Sequence, residues 1–236
     1  MLGSVVIGIG IAGCVRMRDL LAPLPSSAAE KFSIKGFVSR RSLEDQQGVK
    51  QISMTEPLSR DDIHVAFICT ENTSHEEQIR QFLEAGKHVC VEYPVTLSYE
   101  SAVDLWNLAQ EKGEFLFFFP VLKIEKKTNK KKHPVHELLK FSKIALLPWP
   151  LTWIEERGPG LGRAKHIHFR FQDATITKLP AGQREPVSLF MQDLVLFGRK
   201  LQGEVSAAEL QEERSRILHC LQLAERIQQL SESTQA

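Results

Sequence analysis

The chain has 236 residues, of which 42% are hydrophobic and 25% charged, enough for one large or two modest domains. Its 30 Lys and Arg balance 29 Asp and Glu, so the net charge of +1 does not favour nucleic acid as a partner. The cysteines at 14, 69, 90 and 220 are scattered singly, which excludes a disulfide framework and a CxxC metal motif. No apolar stretch is long enough to span a bilayer without a proline, so we expect a cytoplasmic protein without a membrane partner.

The first half alternates strand and helix patterns. SVVIGIG, IKGFVS, HVAFIC and HVCVEY are continuous apolar runs of the kind found in parallel strands covered on both faces. Helical segments lie between them, so the pattern predicts an α/β fold with a doubly wound parallel sheet, that is, a Rossmann domain.

Two of these helices have sequence signals that mark where they begin and end. The Ser74 to Glu77 spacing is typical of a capping box, with Gly86 at the end of that helix. The next helix is predicted from Ser98 to Gly113. We expect its buried stripe to contain Val103, Trp106 and either Ala109 or Gln110.

The sequence GIGIAG stands between the first strand and the first helix. Gly8 is expected to make the tight turn, Gly10 to admit a pyrophosphate, and Gly13 to let helix and strand pack closely. With Ile11 and Ala12 they form a predicted cofactor-binding loop at a helix N-terminus, which favours anions. The alternative is an ordinary strand-to-helix turn.

The end of the second strand, FVSRRS, indicates which dinucleotide is bound. An acidic residue there is typical of NAD sites, but this chain has Ser39, Arg40 and Arg41. A hydroxyl and two guanidinium groups suit a 2′-phosphate, so NADPH is favoured and NADH is the second choice. The alternative is two solvated arginines at the start of a helix.

Several longer stretches resemble a known family. They are GIGIAGCVRMRDL, GFVSRR, AFICTENTSHEEQIRQFLEAGKHVCVEYPVTLS, WIEERGPGL and RILHCLQLAERIQ. Together they are similar to the biliverdin reductases, which belong to the glucose-fructose oxidoreductase-like dehydrogenases, over about residues 3–113 and 151–230. The resemblance implies a Rossmann domain joined to a second α+β domain. It also implies NADPH- or NADH-dependent reduction of the central methine bridge of biliverdin, a tetrapyrrole, to bilirubin in haem catabolism.

The resemblance also implies roles for single residues. The family's sugar-dehydrogenase relatives have Glu-Lys-Pro where this chain has Glu92-Tyr93-Pro94, the form typical of biliverdin reductases. Tyr93 is therefore the candidate catalytic residue, as a hydrogen-bond donor to the reduced pyrrole, and its alternative is a structural role. Thr70, His75 and Glu92 are candidate cofactor-binding residues; His75 could equally be a helix-start residue.

Two arginines of the first helix are candidate substrate-binding residues. Arg16 and Arg18 would attract the two propionates of biliverdin, unless both are merely solvated. The chain departs from the family at Ile11, where an arginine is usual. The chain also departs from the family in its candidate zinc ligands. His219 and Cys220 are present, but Ser231 and Glu232 replace the expected cysteine pair, so the zinc site is incomplete.

The middle of the chain differs most from the family. Six lysines lie between Lys123 and Lys132, and the expected further strands are missing. We interpret residues 1–120 as the Rossmann domain, 121–150 as an atypical Lys-rich segment, and 151–236 as a truncated α+β domain with C-terminal helices. The lysines predict a solvated linker; a nuclear-localisation or nucleic-acid patch is the alternative.

The C-terminal part shows strand and helix patterns again. HIHFRF and ATITKL alternate like antiparallel strands. A helix is predicted over Val187 to Leu201, and a long helix follows a Ser206 to Glu209 capping box. In the resembling family such helices pack on the dinucleotide domain.

The residues predict a Rossmann domain that favours NADPH, and the resemblance implies that the chain is a biliverdin reductase. We expect a monomer. The alternative is a catalytically impaired relative that binds NADPH without turning over a substrate.

Overall fold

The computed structural model describes residues 1–118, 137–141, 153–157, 169–170, 175–176 and 187–234, and side chains within 1–117 and 187–229. The chain divides into two compact units. The first comprises Met1–Ile124 and Val187–Arg226, and the second comprises Glu125–Pro186 and Ile227–Ala236.

Five strands form the sheet of the first unit: β1 Leu2–Ile7, β2 Phe32–Val38, β3 Val65–Ile68, β4 His88–Val91 and β5 Leu116–Phe118. Its helices are α1 Ile11–Leu21, α2 Glu56–Ser59, α3 His75–Glu84, α4 Tyr99–Lys112, α5 Leu189–Leu201 and α6 Ala207–Thr234, of which the last turns of α6 belong to the second unit. Short 3₁₀ helices cover Ala28–Lys31 and Asn72–Ser74.

The sheet is parallel throughout, in the order β2-β1-β3-β4-β5. The predicted Rossmann fold is thus confirmed, and β5 adds a strand that the sequence analysis did not assign. Gln51, which belongs to no named strand, forms an isolated parallel bridge with Phe37 of β2. Because β1 has β2 on one side and β3 on the other, the order reverses at β1, and α/β folds bind ligands at such a point.

Both faces of the sheet are buried, as the continuous apolar strands predicted. Val5 and Ile7 of β1 face a core that contains Leu105 of α4 and Ile217 of α6. The intervening Val6 faces the opposite core, with residues of α1 and α5 such as Met17 and Phe197. The alternation of side chains along a strand therefore places β1 between two helical layers.

Helix α5 completes the second of these cores. The Phe197 ring stacks on Phe32, with ring centroids 5.7 Å apart, and on Phe117 at 5.2 Å. Gly198 lies so close to the 3₁₀ helix that an added Cβ would be 2.6 Å from the carbonyl oxygen of Ala28. The expected packing of the terminal helices on the dinucleotide-binding part is confirmed for Val187–Arg226, which belong to the first unit.

Several predicted helix ends are confirmed. The Ser98 side chain accepts a hydrogen bond from the backbone of Ser101 at the start of α4, and Gly113 ends this helix with φ +73°. Gly86 follows α3 with φ +68°. At the start of α6, the Ser206 backbone and hydroxyl both donate to the Glu209 carboxylate, and the Glu209 backbone donates back to the hydroxyl.

Two local predictions are wrong. Ser74 does not cap α3 with its side chain, because its hydroxyl donates to Thr70 and to the carbonyl oxygen of Glu71 instead. The buried stripe of α4 consists of Ala102, Leu105 and Ala109. Val103 and Trp106 are only partly buried, so the predicted stripe was displaced by one position over most of its length.

In the second unit, β6 Glu137–Phe141 pairs antiparallel with β7 Trp153–Arg157. A second ladder joins β8 Phe169–Arg170 to β9 Thr175–Ile176. The antiparallel pairing predicted for HIHFRF and ATITKL is confirmed where these strands are described. Strand β6 lies in the segment that the sequence analysis left without an element, and the lysines at 123–132 lie outside the described residues.

A search of the described helices found none long and apolar enough to cross a membrane.

Candidate cofactor-binding site

The three glycines of the loop after β1 have three different surroundings. Gly8 has φ +91°, and an added Cβ would be 2.8 Å from the carbonyl oxygen of Cys69. At Gly13 an added Cβ would be 1.9 Å from the carbonyl oxygen of Gly8, so α1 crosses the loop in direct contact with it. A Cβ on Gly10 would meet no atom within 4 Å. Gly8 and Gly13 thus serve the turn and the packing, and Gly10 faces open space.

This open space lies at the N-terminus of α1. Gly10 is the N-cap, no side chain caps it, and the first turn contains no acidic residue. The first backbone N–H groups of a helix have no partner within the helix and carry the positive end of its dipole. Ile11 is 84% exposed at this point. The residues present therefore fit the pyrophosphate of a dinucleotide.

The segment after β2, which carries the predicted 2′-phosphate residues, is held by Gln51. The Gln51 amide donates to the carbonyl oxygens of Ser39 and Arg41, at 3.0 and 2.8 Å, and accepts from the backbone of Leu43 at 2.7 Å. The hydroxyl of Ser39 accepts from the Arg41 backbone at 3.2 Å. The sequence analysis missed Gln51, whose role depends on the long-range bridge to β2.

The side chain of Arg40 contacts a residue beyond β3. Two guanidinium nitrogens donate to the two carboxylate oxygens of Glu71, at 2.8 and 3.2 Å. Arg40 is 86% exposed and Glu71 47%. Glu71 was also missed, although its position directly after a strand end, two residues past Cys69, is a signal for the ligand-binding edge.

The loop after β3 is tied to the Glu92-Tyr93-Pro94 motif by His75. The buried His75 ring places Nδ1 2.8 Å from the carbonyl oxygen of Pro94 and Nε2 3.2 Å from that of Thr70. Both partners accept hydrogen bonds, so the shorter contact fits a bond donated by Nδ1. Thr70 itself donates to Gln78 at 2.7 Å. His75 therefore joins two candidate site loops, the loop after β3 that contains Thr70 and the loop after β4 that contains Pro94.

Glu92 and Tyr93 follow β4 at the same edge of the sheet. Oxygen Oε1 of Glu92 is buried and has no hydrogen-bond partner among the described residues. Burial raises the pKa of this carboxyl, and the nearby Arg16 opposes the rise. Burial likewise raises the pKa of the Tyr93 phenol, so it stays protonated and able to donate at neutral pH.

Arg16 and Arg18 make contacts within the protein. Arg16 is 1% exposed and donates to the carbonyl oxygen of Phe190 at 2.6 Å, with a second nitrogen 3.4 Å from Asp193. Arg18 donates twice to Asp19, at 2.9 and 2.7 Å. It lies seven residues after Ile11, about 10 Å along α1 from the glycine loop. The structure does not bring these two guanidinium groups to the open face at Gly10.

The described residues contain no group of three or more His, Cys, Asp and Glu side chains that could hold a metal ion. His219 and Cys220 lie on α6, and the side chains of Ser231 and Glu232 are outside the described set.

Together, this sheet order and this glycine loop define a Rossmann domain of the kind that binds dinucleotides. Comparison with known proteins agrees and goes further. The model of the family described as "Oxidoreductase family, NAD-binding Rossmann fold" matches residues 2–119, and the model "Biliverdin reductase, catalytic" matches residues 122–183. The second match begins inside the segment that the sequence analysis set apart as atypical.

Two curated relatives are similar over almost the whole chain. Biliverdin reductase A from Homo sapiens is 40% identical, with 96% of this chain and 95% of the relative covered. Biliverdin reductase A from Mus musculus is 38% identical, with 97% and 95% covered. The chain therefore belongs to the biliverdin reductase family. A solved structure, GenD2 from gentamicin A biosynthesis in complex with NAD, is 28% identical over 50% of this chain and 34% of its own, with a TM-score of 0.45.

The alignment with the human relative is longer than this chain. It runs over 284 positions, 48 more than the 236 residues of this chain, so at least 48 positions are gaps on this side. The chain is thus shorter than the human relative over the aligned region.

Proposed function

We propose that this chain is an NADPH-dependent biliverdin reductase that reduces the central methine bridge of biliverdin to give bilirubin. The observation that carries the proposal is the 40% identity to a biliverdin reductase across 95% of that protein, together with a match to the family's catalytic model. The glycine loop supports the nicotinamide cofactor, because Gly10 leaves open space at the N-terminus of α1.

In this proposal the residues of the first unit bind and orient NADPH. The loop from Gly8 to Gly13 receives the pyrophosphate, and Ser39, Arg40 and Arg41 receive the 2′-phosphate. Thr70, His75 and Glu92 form the opposite end of the site, where the buried oxygen of Glu92 can accept an N–H or hydroxyl from the cofactor.

The bound cofactor supplies a hydride to the methine carbon, and a proton at a pyrrole nitrogen completes the reduction. The protein's part in this step is assigned to Tyr93. A tyrosine phenol is protonated at neutral pH, and burial raises the pKa of this one further, so it donates a hydrogen bond where charge develops on the tetrapyrrole. His75 acts through the backbone, since it holds Pro94 next to Tyr93 against the loop that carries Thr70.

A second candidate function is NADPH binding without turnover. The observation that favours it is the gap of at least 48 positions against the human relative. Precise positioning of a substrate needs a complete and rigid site, so the missing residues bear directly on the catalytic rate.

The experiment is to mix the purified full-length chain with NADPH and biliverdin and to follow bilirubin formation together with NADPH consumption. NADPH binding is measured in parallel by fluorescence titration. Bilirubin formed in equal amount to the NADPH consumed supports the reductase. NADPH binding without bilirubin supports the second function, and failure to bind NADPH contradicts both.

A further inference from the structure

The pair formed by Arg40 and Glu71 crosses the site from one side of β1 to the other. Arg40 lies beyond β2 and Glu71 beyond β3, and β1 stands between these strands in the sheet. The two hydrogen bonds of 2.8 and 3.2 Å therefore pass over the carboxyl end of β1, next to the glycine loop. The adenosine half of a dinucleotide approaches this edge of a Rossmann sheet.

The same pair places a negative charge next to the cation expected to receive the 2′-phosphate. Glu71 engages two of the guanidinium nitrogens of Arg40. A 2′-phosphate that approaches Arg40 must share or displace this carboxylate, and it meets a like charge within a few ångströms. Arg40 is largely exposed and Glu71 is about half exposed, so separating them costs little free energy.

Glu71 also supplies a carboxylate that β2 lacks. In NAD sites an acidic residue at the end of the second strand accepts a hydrogen bond from the ribose 2′-hydroxyl, but this chain has Ser39-Arg40-Arg41 there. The ion pair brings the Glu71 carboxylate from beyond β3 to within 2.8 Å of the Arg40 side chain. The 2′-hydroxyl of an unphosphorylated ribose can donate a hydrogen bond to this carboxylate.

We propose that Glu71 is a selectivity residue that competes with the 2′-phosphate for Arg40, and so lowers the preference of this site for NADPH over NADH. The inference rests on the cofactor site of the proposed function. It does not depend on turnover of biliverdin.

The test is a calorimetric titration of the full chain with 2′,5′-ADP and with 5′-AMP, the adenosine halves of NADPH and NADH. Glu71→Gln keeps the size of the side chain and removes its charge, and Arg40→Gln removes the cation. The matched control is Glu204→Gln, which removes the same charge from an exposed ion pair with Arg199 on α5, outside the glycine-loop site.

Glu71→Gln is expected to tighten binding of 2′,5′-ADP about fivefold, the size of an exposed ion pair, and not to tighten binding of 5′-AMP. The gain should shrink in high salt, which screens exposed charges, and it should be absent in the Arg40→Gln background. The control variant should show no gain.

The proposal is overturned if Glu71→Gln changes the ratio of the two dissociation constants less than twofold, or if Glu204→Gln produces an equal change. The proposed function fails separately. Nucleotide binding with the expected Glu71 effect but without bilirubin formation would leave this inference standing and remove the reductase. Failure of the wild-type chain to bind either nucleotide would remove both.

Discussion

Gly10 and Gly13 lie three residues apart, yet the structure predicts opposite consequences for replacing each with alanine. At Gly10 the new methyl group meets no atom within 4 Å, and the backbone φ of −89° suits any residue. At Gly13 the methyl group would lie 1.9 Å from the carbonyl oxygen of Gly8, so α1 must move away from the loop. Gly10→Ala should therefore spare the fold, and Gly13→Ala should not.

The magnitudes follow from these contacts. Loss of a glycine N-cap costs up to about 1 kcal/mol, but alanine also restricts the unfolded chain by a similar amount, so the net stability change for Gly10→Ala is close to zero. Overpacking at Gly13 costs about 3 kcal/mol, which lowers the melting temperature of a chain of this size by about 6–12 °C. For cofactor affinity, the methyl group on Gly10 would occupy the space where the pyrophosphate is proposed to bind. Loss of one charge-assisted hydrogen bond, about 2 kcal/mol, weakens NADPH binding about thirtyfold.

The assay is thermal unfolding of both variants by circular dichroism, with an NADPH fluorescence titration below the melting transition. Wild-type affinity in Gly10→Ala would refute the placement of the pyrophosphate at this loop. An unchanged melting temperature in Gly13→Ala would refute the close packing of α1 on the loop.

Three further predictions concern single side chains at or near the site. Arg16→Met should destabilise the chain by about 3 kcal/mol, because it removes the hydrogen bonds that the buried guanidinium donates to Asp193 and to the carbonyl oxygen of Phe190. A urea titration measures this loss. Tyr93→Phe should lower kcat for biliverdin about tenfold and leave the NADPH dissociation constant unchanged. Because burial raises the pKa of the phenol from its ordinary value of 10, the wild-type phenol should stay protonated throughout the neutral range. A larger loss of NADPH affinity than of kcat would contradict the assignment. Burial also raises the pKa of Glu92 from its ordinary value of 4.5, so the folded state binds more protons than the unfolded one. Stability therefore falls as the pH rises from that ordinary value through the raised pKa of the folded state. Glu92→Gln should then raise the melting temperature at pH 7 relative to wild type without cofactor, and an unchanged difference between pH 4 and 7 would contradict this.

The local features of the fold were predictable from short stretches of sequence. The glycine spacing after an apolar run is sufficient to place Gly8 in a turn and Gly13 on the face of α1 that packs on this turn, because both requirements act within six residues. The ends of α4 at Ser98 and Gly113 are equally local, since a capping side chain and a residue with φ +73° lie next to the helix.

The contacts that give the site its charge distribution were not predictable in this way. Arg40 and Glu71 are 31 positions apart, and Arg16 and Asp193 are 177 apart. From the sequence alone, each arginine is equally compatible with a solvated cation and with a ligand-binding cation. Only the fold identifies the carboxylate that lies beside it. Arg16 illustrates the point, since its guanidinium is buried against α5 although its residue type suggested a substrate contact.

The core of the nucleotide-binding unit is built from residues that precede and residues that follow the segment matched by the catalytic model. Phe197 of α5 stacks on Phe32 and Phe117, and Lys200 of the same helix pairs with Glu213 of α6. All these contacts lie within Met1–Ile124 and Val187–Arg226, so these two stretches of the chain build this core together. Residues 122–183 are the part that the catalytic model matches. We therefore expect substitutions in the glycine loop of the first unit to change nucleotide affinity, and changes in the length or sequence of residues 122–183 to change the rate of biliverdin turnover.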